Sequence, residues 1–118
     1  MALVPLVESG KVLRIIRAGN SPVAVTVGAG AVWVANHEDG SVSRIDPRTS
    51  SVTKAISVGE QPAAVATGGG SVWVANSGDG SVSRIDPRTN RVIDTFSVGH
   101  SPQGVAVAGG AAWVTVRP

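Results

Sequence analysis

An all-β fold made of repeated four-stranded units is what this sequence predicts, and three observations predict it. The eleven residues DGSVSRIDPRT stand at Asp39–Thr49 and again at Asp79–Thr89. Tryptophans recur every forty residues, at Trp33, Trp73 and Trp113, inside the phrases GAGAVWVAN, GGGSVWVAN and AGGAAWVTV. The composition is rich in Val and Gly, with 15 glycines and no tyrosine. Val favours strands and Gly favours tight turns. No segment shows helical periodicity with caps, so no helix is expected.

Each forty-residue unit divides into four short strands. Strand a follows a Gly-x-x-Pro turn (GNSP, GEQP, GHSP) and covers Val23–Val27, Ala63–Thr67 and Gly104–Ala108. Strand b carries the tryptophan: Ala31–Asn36, Ser71–Asn76 and Ala111–Val116. Strand c is Ser41–Asp46 and Ser81–Asp86. Strand d is Val52–Val58 and Val92–Val98, with an earlier copy at Val12–Ala18. The turns have mechanisms. Asp39-Gly40 and Asp79-Gly80 close the b–c hairpin, where a positive φ suits glycine. Asp46-Pro47-Arg48-Thr49 and its second copy suit a turn in which Asp accepts from the backbone and Pro presets φ. Glycine pairs close the a–b hairpins.

Four antiparallel strands at a period of about forty residues is the signature of a β-propeller blade. The phrase VWVANSGDGSVSRIDPRTNRVIDTFSVG, Val72–Gly99, resembles the YVTN-type propeller repeat. That family is close in pattern to NHL repeats and to the propeller of streptogramin lyases. The resemblance runs from Lys11 onward and implies the fold. The blades read as 19–58, 59–98, and a split blade shared by 1–18 and 101–118. A shift of forty carries Ser41–Asp46 onto Met1–Leu6, where the split blade's strand c is expected. The strand order is then cd-abcd-abcd-ab, three blades' worth in one chain. Propellers have about four to eight blades, so a head-to-tail homodimer of six blades is expected, with Ala111–Val116 of one copy against Ala2–Leu6 of the other.

With 118 residues, the chain is one ordinary domain. Its net charge of +2 comes from arginines scattered singly, not from a basic patch with interleaved aromatics, so nucleic acid is not an expected partner. No window approaches the ~18 apolar residues of a membrane-spanning helix, and no membrane partner is expected. Cysteine is absent, which removes disulfides and thiolate metal ligands without fixing the compartment. The start, MALVPLVESGKV, has no basic segment, and Pro5 and Glu8 break its apolar run; it does not read as a signal peptide.

The b–c loops and d–a turns share one face of such a scaffold, and binding tends to sit on loops at one end of a rigid frame. The residues expected there are His37, Glu38, Asp39, Glu60, Gln61, His100 and Ser101. His37-Glu38 is where the first b–c loop departs from the second, which has Ser77-Gly78. Trp33, Trp73 and Trp113 recur with the frame among Val and Ala, so they read as core between blades, each burying ~150–250 Å². Arg44, Arg84, Arg48 and Arg88 also recur with the frame and read as structural. GHSPQ at Gly99–Gln103 lacks the second glycine and the following helix of a nucleophile elbow. The leading functional reading is a non-catalytic binding scaffold, without cofactor, for a protein, peptide or carbohydrate. The resemblance to streptogramin lyases implies a second one: a metal-dependent lyase using His37, His100, Glu38 and Glu60 with a divalent ion. A third is a repeat segment whose only property is self-assembly.

Overall fold

A computed structural model describes residues 3–8 and 11–117, with side chains described from 16 to 117. Twelve strands follow one another: β1 (Leu3–Glu8), β2 (Lys11–Arg17), β3 (Pro22–Gly28), β4 (Ala31–Asn36), β5 (Ser41–Asp46), β6 (Ser51–Ser57), β7 (Pro62–Gly68), β8 (Ser71–Asn76), β9 (Ser81–Asp86), β10 (Arg91–Ser97), β11 (Ser101–Ala108) and β12 (Ala111–Arg117). They form two complete four-stranded antiparallel sheets, β3-β4-β5-β6 and β7-β8-β9-β10, and two pairs, β1-β2 and β11-β12. This is the expected order cd-abcd-abcd-ab, and the described residues contain no helix.

Strands b and c lie on the expected residues in both complete blades. Strand a starts earlier than expected, at the proline, because Pro22 and Pro62 already pair with Asn36 and Asn76. Strand d lies one residue earlier, since Asp46 pairs with Ser51 and Asp86 with Arg91. The larger correction is at the start of the chain. The strand expected at Met1–Leu6 is β1, Leu3–Glu8; Met1 and Ala2 lie outside the described residues. The register explains the difference. Leu3 pairs with Arg17 as Ser41 pairs with Ser57, so β1 is offset from β5 by thirty-eight residues rather than forty. Only Ser9 and Gly10 separate β1 from β2, where Pro47–Ser50 separate β5 from β6. The bulge after Leu6 matches the one after Arg44, so β1-β2 keeps the geometry of an outer strand pair.

The c–d turns follow the sequence chemistry. Asp46 Oδ1 accepts from Arg48 N at 2.9 Å, and Ser50 N donates to Asp46 O at 2.8 Å. Asp86 repeats both bonds with Arg88 and Asn90. Ser50 and Asn90 close these turns with φ near +60°.

Blades stack through their inner strands: β7 lies against β3 and β4, and β11 against β7 and β8, while the outer strands β6 and β10 barely meet. Small residues permit the close approach. A Cβ on Gly28 would stand 2.4 Å from Thr67 Oγ1, and one on Gly68 would stand 2.6 Å from Val107 Cγ1. The core fills the space between the two complete blades. Ala31, Trp33, Ala35, Val42 and Ile56 of the first meet Val65, Val72, Val74 and Ile85 of the second. Trp33 is fully buried, its Nε1 donating to Gly28 O at 2.9 Å. The Arg44 guanidinium lies 5.0 Å from the Trp33 ring and reaches across to the next blade, where it donates to Pro87 O and to Asn90 Oδ1, the latter at 2.7 Å. One arginine therefore stacks on the core tryptophan and pins the neighbouring turn.

The three tryptophans do not share one environment. Trp33 lies in the core, Trp73 is half-buried, and Trp113 is 66% exposed on β12 among the described residues. Packing against a following blade, not sequence position, decides burial. Trp33→Ala is expected to lower unfolding free energy by about 3–5 kcal/mol. Urea denaturation followed by far-UV circular dichroism checks this; a loss under 1 kcal/mol would contradict the assigned core.

Candidate functional site

The b–c loops and d–a turns meet on one face, held by the ends of strand b. Asn36 and Asn76 are fully buried there. Asn36 Nδ2 donates to Ser41 Oγ at 3.2 Å and Ser43 Oγ at 2.9 Å. Asn76 repeats this with Ser81 at 3.1 Å and Ser83 at 2.9 Å. Ser43 Oγ in turn donates to Ala18 O at 2.7 Å, tying the end of β2 to the first complete blade. Gly19 lies directly over Asn36: a Cβ there would stand 2.6 Å from Asn36 Cγ, and at Gly59 a Cβ would stand 2.7 Å from Asn76 Cγ. These two glycines are needed for contact.

Asp39 serves the frame as well as the face. Its Oδ2 accepts from Asn20 N at 2.8 Å, and its Oδ1 accepts from Asn20 Nδ2 at 2.8 Å. Asp79 holds the second turn in the same way, accepting from Glu60 N at 3.1 Å. Backbone bonds complete the clamp: His37 N to Ser21 O and Ser77 N to Gln61 O, each 2.9 Å. Ser21 and Gln61 adopt positive φ to allow this. The third turn has the same Gly-x-x-Pro sequence but a different backbone. There Gly99 and His100 take positive φ, and Gly99 has nothing within 4 Å of a built Cβ. The first two turns are shaped by the loop they rest on; the third has no such loop among the described residues.

An open cleft of about 830 Å³ lies between the first b–c loop and the turn leading into the second complete blade. It is lined by His37, Glu38, Asp39, Gly40, Ser57, Val58, Gly59, Glu60 and Gln61. Five of the seven expected face residues thus come together. His100 and Ser101 do not line this cleft; they lie at the entry to β11, where the His100 carbonyl faces Gly80 of the second b–c loop. His37 is half-buried, while Glu38 and Glu60 are exposed. Among the described residues, no three His, Asp or Glu side chains gather as a group able to hold a metal ion. Asn36, Asn76, Ser57 and Val58 are the residues that sequence reasoning left out. The recurrence of Val-Ala-Asn at the loop boundary was the available signal for the first two.

Solved structures place this architecture. A streptogramin B lyase superposes with a TM-score of 0.79 at 20% identity, over 92% of this chain and 39% of that one. Hydrazine synthase of Kuenenia stuttgartiensis gives 0.77 at 28% identity, over 81% of this chain and 29% of that one. The fold is a β-propeller repeat fold. AztD of Citrobacter koseri in its apo form gives 0.70 at 18% identity, over 86% and 28%. The chain spans about three to four tenths of the length of these propellers. No family model matches the chain. No curated protein matches it either.

Asp39→Ala should destabilise the protein by about 1 kcal/mol, because a charged acceptor for two donors is lost at a partly solvated site. It should also speed amide exchange at Asn20. Glu38→Gln should change stability by no more than about 0.5 kcal/mol. Equal effects of the two substitutions on melting and on Asn20 exchange would contradict the division between frame and face.

Proposed function

We propose that this propeller segment is a non-catalytic binding scaffold, with a protein, peptide or carbohydrate ligand seated in the cleft between His37 and Gln61. One observation carries the reading. Four of the nine residues that line the cleft stand where the repeats differ, on a frame where they agree. Asp39 and Asp79 make equivalent bonds, as do Asn36 and Asn76. Between them stand His37-Glu38 against Ser77-Gly78, and Glu60-Gln61 against Asn20-Ser21. Variable loop positions on a rigid frame are where binding tends to sit. The lining offers an imidazole, carboxylates and an amide beside the apolar Val58. This suits a ligand with hydrogen-bond donors and a small apolar face.

The repeat supplies its own control. His37→Ser with Glu38→Gly turns the first loop into a copy of the second, whose backbone is already compatible with the frame. Peptide and glycan arrays would identify a binder, and an NMR titration would locate it. The expected result is shifts centred on 37–40 and 57–61, and at least a tenfold weaker affinity in the double variant at unchanged melting temperature. A binder that maps elsewhere, or one indifferent to the double substitution, would overturn the reading. So would arrays that return no binder.

A further inference from the structure

We propose that the two complete blades hold a phosphate group between Arg44, Arg48 and Asn90, at the end of the strands opposite the His37–Gln61 cleft. The site is independent of the reading of that cleft. It rests on an arginine that the frame repeats, but whose partners within its own blade it does not.

In the second complete blade, Arg84 is satisfied by its own sheet. Its Nε donates to Ser71 Oγ at 2.8 Å, and its Nη1 lies 3.6 Å from Asp94 Oδ2. In the first blade the equivalent positions are Ala31 and Lys54. A methyl group replaces the hydroxyl, and a cation replaces the carboxylate. Lys54 is exposed and pairs directly across the strands with Arg44. Like charges so placed repel each other. Among the described residues Arg44 makes no ion pair.

Arg44 is nonetheless held in place. Its guanidinium lies over the Trp33 ring, and its Nη1 donates to Pro87 O and Asn90 Oδ1 of the next blade. Nε and Nη2 have no acceptor among the described residues. That edge of a guanidinium carries two parallel N–H groups, the fork that an oxyanion accepts bidentately. An open cavity of about 420 Å³ lies beside it, with Gly30, Ala31, Arg44, Asp46, Arg48 and Asn90 in its wall. A Cβ built on Gly30 would have Arg44 Nη2 as its nearest contact, at 3.9 Å, so this nitrogen borders the space without being packed over.

Two more donors stand in the same wall. Arg44 occupies Asn90 Oδ1, which leaves the Nδ2 end of that amide to donate. Arg48 is exposed at the c–d turn. The one carboxylate there, Asp46, already accepts from Arg48 N at 2.9 Å and lies 3.6 Å from Arg48 Nε. Two arginines against one carboxylate leave the wall net positive, and Lys54 adds to it. A carboxylate has two oxygens, which the Arg44 fork alone would occupy. A phosphate has further oxygens for Asn90 and Arg48. Because Trp33 and Pro87 already fix Arg44, binding costs it little conformational freedom.

An NMR titration of the whole chain with sodium phosphate at constant ionic strength tests the site, with acetate and chloride as controls. Phosphate should give saturating shifts at the Gly30 amide, the Arg44 Nε–H and the Asn90 side-chain amide, and should raise the melting temperature. Acetate should bind at least about tenfold more weakly. Ala31→Ser with Lys54→Asp gives the first blade the partners that satisfy Arg84. This double variant should bind phosphate at least about tenfold more weakly, without a lower melting temperature in its absence. If it does not fold, Lys54→Asp alone, at an exposed position, should weaken binding about threefold. Phenyl phosphate separates two sources of the group: tighter binding than inorganic phosphate supports a phosphate ester, and weaker binding supports the free ion. Acetate or chloride binding as well as phosphate would overturn the proposal. So would shifts centred on other residues, or variants that bind phosphate as tightly as the parent.

Discussion

Burial of one blade beneath the inner strand of the next is the constraint on which the rest of this structure depends. A single four-stranded sheet has two apolar faces and cannot hide either alone. Here the face carrying Ala31, Trp33, Ala35 and Val42 is covered by the face carrying Val65, Val72, Val74 and Ile85. The covering strand must come very close, which restricts it to Ala, Val, Thr and Gly and leaves no room for a Cβ at Gly28 or Gly68. The scarcity of bulky residues in the sequence follows from that restriction. One tryptophan per blade supplies the volume, and one arginine stacks on it and reaches the next turn.

The rim inherits its geometry from the same stacking. Asn36 and Asn76 end buried strands, bond the serines that begin strand c, and support Gly19 and Gly59 from below. The d–a turns then hang on Asp39 and Asp79. Where the described residues hold no b–c loop to receive it, the same Gly-x-x-Pro sequence takes another conformation, as at Gly99–Pro102. Side chains such as His37, Glu38, Glu60 and Gln61 are free to vary because none of them carries the frame. The frame thus rests on Asp39 and Asp79 and not on the varying side chains beside them.

The strands were legible because their signals are local: alternating Val, the Asp-Gly and Asp-Pro turns, and a period marked by tryptophan. The face that gathers the loops was legible for the same reason. What failed was whatever depends on a neighbour. The period placed Trp113 beside Trp33 in type but said nothing of the blade that would cover it. It placed His100 on the same face as His37 but not in the same cleft. It identified Asp39 as a surface carboxylate without the amide of Asn20, nineteen residues earlier, that it holds. The first strand was misplaced by two residues because the turn before β2 is shorter, and a divergent sequence such as LVPLVE carries no mark of that deletion.

The most direct test of blade-on-blade burial is native-state hydrogen exchange resolved by residue. Stability in such a stack should fall from the covered inner strands to the splayed outer ones. The account predicts the slowest exchange in β4, β7 and β8, only through global unfolding, with β6 and β10 opening at a lower free energy. Uniform protection across β4 and β6, or slower exchange in the outer strands, would contradict it.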